Sequence, residues 1–235
     1  MKFPQLNFSM PTVNKKMFMI IAAILVIAVA LWAAISYHSK PAVDPDLLLQ
    51  QSLSKTMASQ NYRFHIECKL GNKQEPISDV TGERAGSDQI HIVGKLINSP
   101  VEFIQYKDNT YMKDPFAGKW LTLQGNQLAQ AESFVIEFNP LANFNFKDVP
   151  RLEYLGSEEL DGRETEVLEL VPNIDMPFLE NQFNVFKYKL WIDSSDQRIY
   201  KATINASHSA NANSLMEINI KLWDYDQEIN IQPPV

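Results

Sequence analysis

The sequence predicts an α+β protein: an N-terminal transmembrane helix, then a strongly curved antiparallel sheet of about eleven strands, a half-barrel with helices covering its concave face. Three observations carry this. Residues 17–35 form a run of 19 residues without a charge, a proline or a glycine. After one amphipathic helix, segment after segment alternates apolar and polar residues with period two and is linked to the next by a short turn. Two irregular stretches rich in phenylalanine interrupt those segments.

The apolar run comes first. As a helix it spans roughly 28 Å, close to the hydrocarbon thickness of a bilayer. Lys15 and Lys16 precede it, and Trp32 and Tyr37 lie toward its far end. Basic flanks stay in the cytoplasm and aromatic rings favour the interface, so the remainder of the chain is expected outside. Residues 1–16 then form a cytoplasmic leader, 17–37 the anchor, 38–44 a linker and 45–235 one domain. Ala28-Val29-Ala30 has the small-x-small form of a cleavage site, so a cleaved signal peptide is the alternative. The continued apolar run to Ile35, and Pro4 and Pro11 in the leader, favour the uncleaved anchor.

Charge narrows the partners. All 28 acidic residues lie after residue 40 and four of the 21 basic ones before it, leaving a net charge of −11 on the remainder. Such a surface argues against nucleic acid. The single cysteine, Cys68, excludes an internal disulfide and falls on the apolar side of a strand pattern, where a buried thiol is expected.

Asp44-Pro45 reads as an N-cap followed by proline in the first turn. The helix expected over 46–59 presents Leu49, Leu53 and Met57, widened by Leu47 and Leu48. The segment 61–70 then sets Tyr62, Phe64, Ile66, Cys68 and Leu70 against Arg63, His65, Glu67 and Lys69, a strand buried on one face. Shorter strands are expected over 78–85, 89–96, 100–106, 110–113 and 119–123. Residues 124–147 lose the alternation. A short helix is expected over 127–134 and another from Leu141. Strands resume over 151–160 and 164–171, joined by the hairpin dipeptide Asp161-Gly162. A loop or short helix over 172–181 precedes strands over 184–193, 198–207 and 214–224, with an asparagine-rich loop at 210–213. Short links imply an antiparallel meander, and so long a twisted sheet curls.

Catalytic signatures are missing from the sequence. His38, His65, His91 and His208 show no metal-ligand spacing, and no nucleophile elbow, phosphate loop or dinucleotide fingerprint occurs. Glu158, Glu159 and Asp161 read as a solvated hairpin tip, and Asn205 heads a glycosylation sequon inside a strand. No enzyme activity and no cofactor are expected. The informative feature is Phe134, Phe138, Phe144, Phe146, Phe178 and Phe183, clustered in the two irregular stretches. They are either plain core or the lid of an apolar cavity that binds acyl chains, which needs no polar motif.

The order of elements, with Tyr62-Arg-Phe-His-Ile66, Asn109-Thr-Tyr-Met-Lys113, Gly118-Lys-Trp-Leu121, Tyr188-Lys-Leu-Trp-Ile-Asp193 and Trp223-Asp-Tyr-Asp226, resembles the LolA/LolB-like superfamily. That group holds periplasmic lipoprotein carriers, the lipid-binding lipoproteins LppX and LprG, and the envelope-stress regulator RseB. The resemblance covers about residues 45–228. It implies an eleven-stranded half-barrel, helices as a lid, and a hollow for acyl chains. The expected partners are lipid or lipoprotein acyl chains, the cell membrane through the N-terminal helix, and an envelope protein. The alternative function is an interaction or regulatory module on the same fold whose hollow its own side chains fill.

Overall fold

The computed structural model describes residues 25–27, 43–71, 76–124, 139–208 and 211–234. The leader, the linker to residue 42, most of the apolar run, the helix expected over 127–134, and Phe134 and Phe138 lie outside the described residues. Leu25, Val26 and Ile27 are helical and exposed. Among the described residues no helix is long and apolar enough to cross a membrane. The chain divides into two units, Met1–Val43 and Asp44–Val235, and the second holds every element named below.

Helix α1 spans Pro45–Ala58. Asp44 caps it, its carboxylate accepting from the backbone N–H groups of Asp46 at 3.0 Å and Leu47 at 3.2 Å. These are donors a helix start otherwise leaves unmatched. The buried stripe differs from the expected one: Leu48, Leu49, Ser52 and Thr56 are buried, whereas Leu47 and Met57 are exposed. Hydrogen bonding accounts for the rotation. The Ile199 N–H donates to Thr56 Oγ1 at 2.9 Å, and Ser52 Oγ donates to the Leu49 carbonyl at 3.0 Å. Nearby, the Tyr225 hydroxyl donates to the Ile199 carbonyl at 2.6 Å, closing a polar knot between helix and sheet. Thr56→Val, similar in shape, strands the Ile199 N–H, and is expected to cost about 1–3 kcal/mol in urea unfolding. A change below a few tenths of a kcal/mol would show that the knot does not hold the helix.

Eleven strands follow: β1 Tyr62–Leu70, β2 Ser78–Ala85, β3 Gln89–Leu96, β4 Ser99–Tyr106, β5 Asn109–Lys113, β6 Trp120–Gln124, β7 Phe146–Leu160, β8 Arg163–Ile174, β9 Phe183–Asp193, β10 Ile199–His208 and β11 Asn211–Trp223. They form one sheet in the order β6-β5-β4-β3-β2-β1-β11-β10-β9-β8-β7. The chain thus makes two antiparallel meanders, β1–β6 and β7–β11, sewn together where the first strand pairs with the last. Phe64 lies opposite Leu222, Ile66 opposite Ile220 and Cys68 opposite Ile218.

Register puts the apolar positions on one inner face. It runs from Ile92 through Phe64, Ile66, Ile218, Ile220, Ile204, Tyr188 and Leu190 to Leu168, each 1% exposed or less. Cys68 is buried there, as expected. The sheet rolls: β2 and β7 stand six places apart in its order, yet the turn after β2 and the segment leading into β7 line one cavity. Register shifts in β7, β9 and β10 supply bends of the kind such rolling needs.

Several boundaries depart from the sequence-based expectation. β7 begins at Phe146 rather than 151, because Pro150 and shifts near Asp148 break the alternation without ending the pairing. β8 runs on to Ile174 through Pro172, and β9 starts one residue early, at Phe183. The expected loop at 210–213 is strand from Asn211, its neighbours 209 and 210 lying outside the described residues. A 3-10 turn, Pro140–Phe144, and a single-turn helix α2, Pro177–Glu180, are the other helical pieces described.

The opposite, outer face carries charges and one apolar patch. The chain beyond β11 crosses it, packing Ile229 and Ile231 on Ile104, with Ala85, Tyr106, Tyr111 and Trp120 around them. At the hairpin tip, Asp161 accepts from Lys221 Nζ at 2.7 Å and the Tyr200 hydroxyl at 3.1 Å, while Glu158 accepts from the Trp191 indole. The tip is exposed, as expected, and its exposed carboxylates also bond to the outer side of β9–β11.

Asp193, at the end of β9, accepts from Arg163 Nη1 at 2.8 Å and from the Ser195 N–H at 2.8 Å. Burial pushes its carboxyl up, but the Ser195 hydroxyl, the Arg163 guanidinium and the Ser195 N–H outweigh that and hold it below the ordinary 3.8. A carboxyl depressed on folding stabilises the protein above its unfolded value, and that stability is lost as pH falls through the folded one. Asp193→Asn is therefore expected to cost stability at pH 7. The gap to wild type should narrow as pH drops below 3.8. Urea midpoints at both pH values check this; a gap independent of pH would contradict it.

Candidate functional site

The hollow lies between the inner face and the pieces laid on it: α1, the 3-10 turn and α2. Sequence builds it by placing small residues among large ones. Ala202 and Ala206 face the hollow beside Ile204 on β10, and Gly82 faces it on β2, where the Phe64 ring lies against its backbone. An alanine methyl at Gly82 would come within 2.7 Å of Phe64 Cε1.

The 3-10 turn is anchored from inside. The Tyr188 hydroxyl donates to the Asn143 carbonyl at 3.0 Å, and Asn143 Nδ2 donates to the Pro140 carbonyl at 2.9 Å. Burial pushes the Tyr188 phenol far above its usual range, so it stays a neutral donor. The Asn143 side-chain oxygen is buried without a hydrogen-bond partner.

Of the six phenylalanines singled out, the structure places three side chains. Phe144 ends the 3-10 turn, buried. Phe146 opens β7 and meets Tyr188 edge-on, with ring centroids 5.1 Å apart. Phe183 opens β9, buried, with its ring edge-on to His208 at 5.5 Å. Phe146 lies opposite Ile174, and Ile174 and Phe183 line the same cavity, so these residues gather at one end of β7–β9. Phe178 falls in α2, its side chain outside the described set, and Phe134 and Phe138 lie outside as well.

Two cavities open beside these residues. One, of about 340 Å³, is lined by Val171, Ile174, Phe183, Val185 and Phe186, with Asn173, Asn184 and Glu180 at its polar side. The other, of about 250 Å³, lies between the end of α1, the β2–β3 turn and the 3-10 turn. Met57, Tyr62, Leu141 and Ala142 give its apolar wall and Arg84 its charge. Arg84 escaped the sequence reading, although a signal was present: the ladder aligns Ser78, Val80, Gly82 and Arg84 with Cys68, Ile66, Phe64 and Tyr62, an arginine in an inward series. Burial raises the Tyr62 phenol, an effect that Arg84 beside it opposes. Among the described residues no group of histidine, cysteine, aspartate and glutamate could hold a metal ion.

A rolled eleven-stranded antiparallel sheet, seamed between its first and last strands and plugged by helices from one side, defines the LolA/LppX-like half-barrel fold. Solved structures bear this out. LprF from Mycobacterium bovis superposes with a TM-score of 0.58 at 16% identity, over 83% of this chain and 99% of its own. The Mycobacterium tuberculosis lipoprotein LppX gives 0.52 at 16% identity, over 81% and 100%. No protein-family model matches the sequence, and neither does any curated protein. At this identity the likeness establishes the fold, which agrees with the resemblance drawn from the sequence.

Proposed function

We propose that this chain is a non-catalytic binding protein that holds the acyl chain of a lipid or lipoprotein in its hollow. One observation carries the reading: at the borders of an apolar inner face whose centre is already buried, two cavities remain, one beside Phe183 and one beside Tyr62. Burying each methylene contributes about 0.8 kcal/mol, so a long chain binds there without polar contacts. Ligand sites commonly measure about 300–1,000 Å³, and the cavity at Phe183 reaches the lower end.

In this reading the apolar run at 17–35 is a single-pass anchor, with the N-terminus in the cytoplasm and the domain on the other side of the membrane. Reporter fusions at either end test that topology, and a cytoplasmic signal from the C-terminal fusion contradicts it. The function is tested by purifying the full chain from cells and extracting bound lipid for mass spectrometry. Near-stoichiometric acylated ligand is the expected result. Protein that carries none, and takes up no fluorescent fatty acid when titrated, sinks the proposal.

A second reading, an envelope interaction module, draws on Phe116. It is 98% exposed on a turn that Asp114 fixes by accepting from the N–H groups of Phe116 and Ala117, both at 2.8 Å. Loss of a captured envelope protein on Phe116→Ser, with lipid content unchanged, favours this reading.

A further inference from the structure

Every strand pairs antiparallel with its neighbours, so the connections alternate between two rims of the sheet. The turns after β2, β4, β7 and β9, and the chain leaving β11, fall on one rim. The turns after β3 and β5, the β8–β9 connection and the start of β11 fall on the other. The first rim carries an exposed aspartate at each place: Asp88, Asp108, Asp161, Asp196 and Asp226. The second carries exposed apolar side chains: Ile97 at 71%, Phe116 at 98%, Val185 at 72% and Leu215 at 50%. Among the described residues, no turn of the aspartate rim presents a large exposed apolar side chain.

The apolar tips are fixed in place. Asp114 holds the turn under Phe116, the Ile97 N–H donates to the Ile77 carbonyl at 2.6 Å, and the Leu215 carbonyl accepts from the Gly71 N–H at 2.6 Å. Ile97 and Val185 are β-branched yet hold left-handed backbone, at φ +49° and +52°. Glycine or asparagine would make those bends at less cost, so the bends alone do not account for the side chains.

Separate tips along a rim make no continuous patch of the kind that forms the core of a protein interface. A lipid surface needs none, because each tip enters the interfacial layer by itself. Charge points the same way. Exposed Lys95 stands near Ile97 and exposed Lys119 near Phe116. Three carboxylates on this rim are occupied: Asp114 by its own turn, and Glu180 and Asp175 by Lys147 at 2.8 and 3.8 Å. An anionic bilayer attracts the lysines and repels the aspartates opposite, so it turns the apolar rim toward itself.

We propose that the rim bearing Ile97, Phe116, Val185 and Leu215 rests on an anionic lipid bilayer, with those side chains in its interfacial layer and the aspartate rim in water. This goes beyond the acyl-binding role and holds whether or not the hollow carries a chain. Val185 also lines the cavity at Phe183, so docking brings that cavity against the lipid.

The test reconstitutes the full chain with vesicles of phosphatidylcholine and phosphatidylglycerol. A nitrobenzoxadiazole label is placed through Ala117→Cys, which leaves Phe116 intact, or through Asp108→Cys on the opposite rim; the native Cys68 is buried. Lipids carrying a nitroxide at shallow depth quench a label that enters the bilayer. Quenching at 117 is expected to exceed that at 108 by about threefold or more. Phe116→Ser, or vesicles of phosphatidylcholine alone, should each reduce the excess. Weak, equal quenching at both positions of vesicle-bound protein overturns the proposal and leaves the N-terminal anchor standing. An excess that survives either change also overturns it, since the tether alone would then set the depth. Protein that does not associate with vesicles overturns the docking and the anchor together. A label at 117 shielded from aqueous iodide without vesicles, in protein that sediments as a dimer, assigns the rim to a second copy and overturns the proposal too.

Discussion

Gly94→Ala is expected to be the most damaging single methyl in this protein. Gly94 lies opposite Val80 in the β2–β3 ladder, with φ at +156°, a backbone conformation L side chains rarely adopt. A Cβ there would overlap the Asp79 carbonyl oxygen and stand 2.7 Å from Val80 Cα. Both obstacles are backbone, so no rotamer change relieves them, and the two strands must part. Conformational strain and overpacking each cost about 1–3 kcal/mol, so a loss of about 3 kcal/mol or more follows. In a domain of this size that lowers the melting temperature by roughly 6–12 °C. A melting temperature within a degree or two of wild type would show that β2 and β3 are not packed this closely.

The second large effect concerns the Phe64 ring, which is fully buried at the seam and lies on Gly82. Phe64→Ala is expected to cost about 3–5 kcal/mol, through lost burial and the void left behind. Gly82→Ala alone should also destabilise, by about 1–3 kcal/mol, because its methyl pushes into the ring. Together they should cost less than their sum, because the methyl at 82 enters space the ring has vacated. A coupling of at least about 1 kcal/mol is expected for two residues in such contact. Chemical denaturation of the four proteins measures it, and strict additivity would mean that Gly82 does not make the floor under Phe64.

The strands were legible because their alternation is local. Tyr62 to Leu70 announces its buried side without knowledge of what pairs with it, and β9 and β11 do the same. The seam was not legible: nothing between Arg63 and Trp223 marks them as partners, since pairing across the whole chain leaves no local trace. β7 begins before the strand expected over 151–160 because it is an edge strand, where Pro150 is tolerated. The helix stripe was misread for a related reason. Apolarity ranked Leu53 and Met57 above Ser52 and Thr56, but a hydroxyl that caps the Ile199 N–H is worth burying. Phenylalanine content drew attention to Phe144, Phe146 and Phe183, and their rings are buried or meet Tyr188 and His208 edge-on, which is as much as plain core packing requires. The direction of Arg84 is set only by the ladder that pairs it with Tyr62, a long-range fact without a local signature.

The order of the sheet has a consequence for how the chain reaches its final form. Synthesis delivers β1 early, yet the neighbour that covers its second edge is β11, which is complete only at Trp223. Until then each meander exposes a bare, greasy border, and neither is a finished object. Closure is therefore a late zippering event between distant parts of the polypeptide. Clipping the chain anywhere before that strand should leave two sticky halves rather than a smaller working protein.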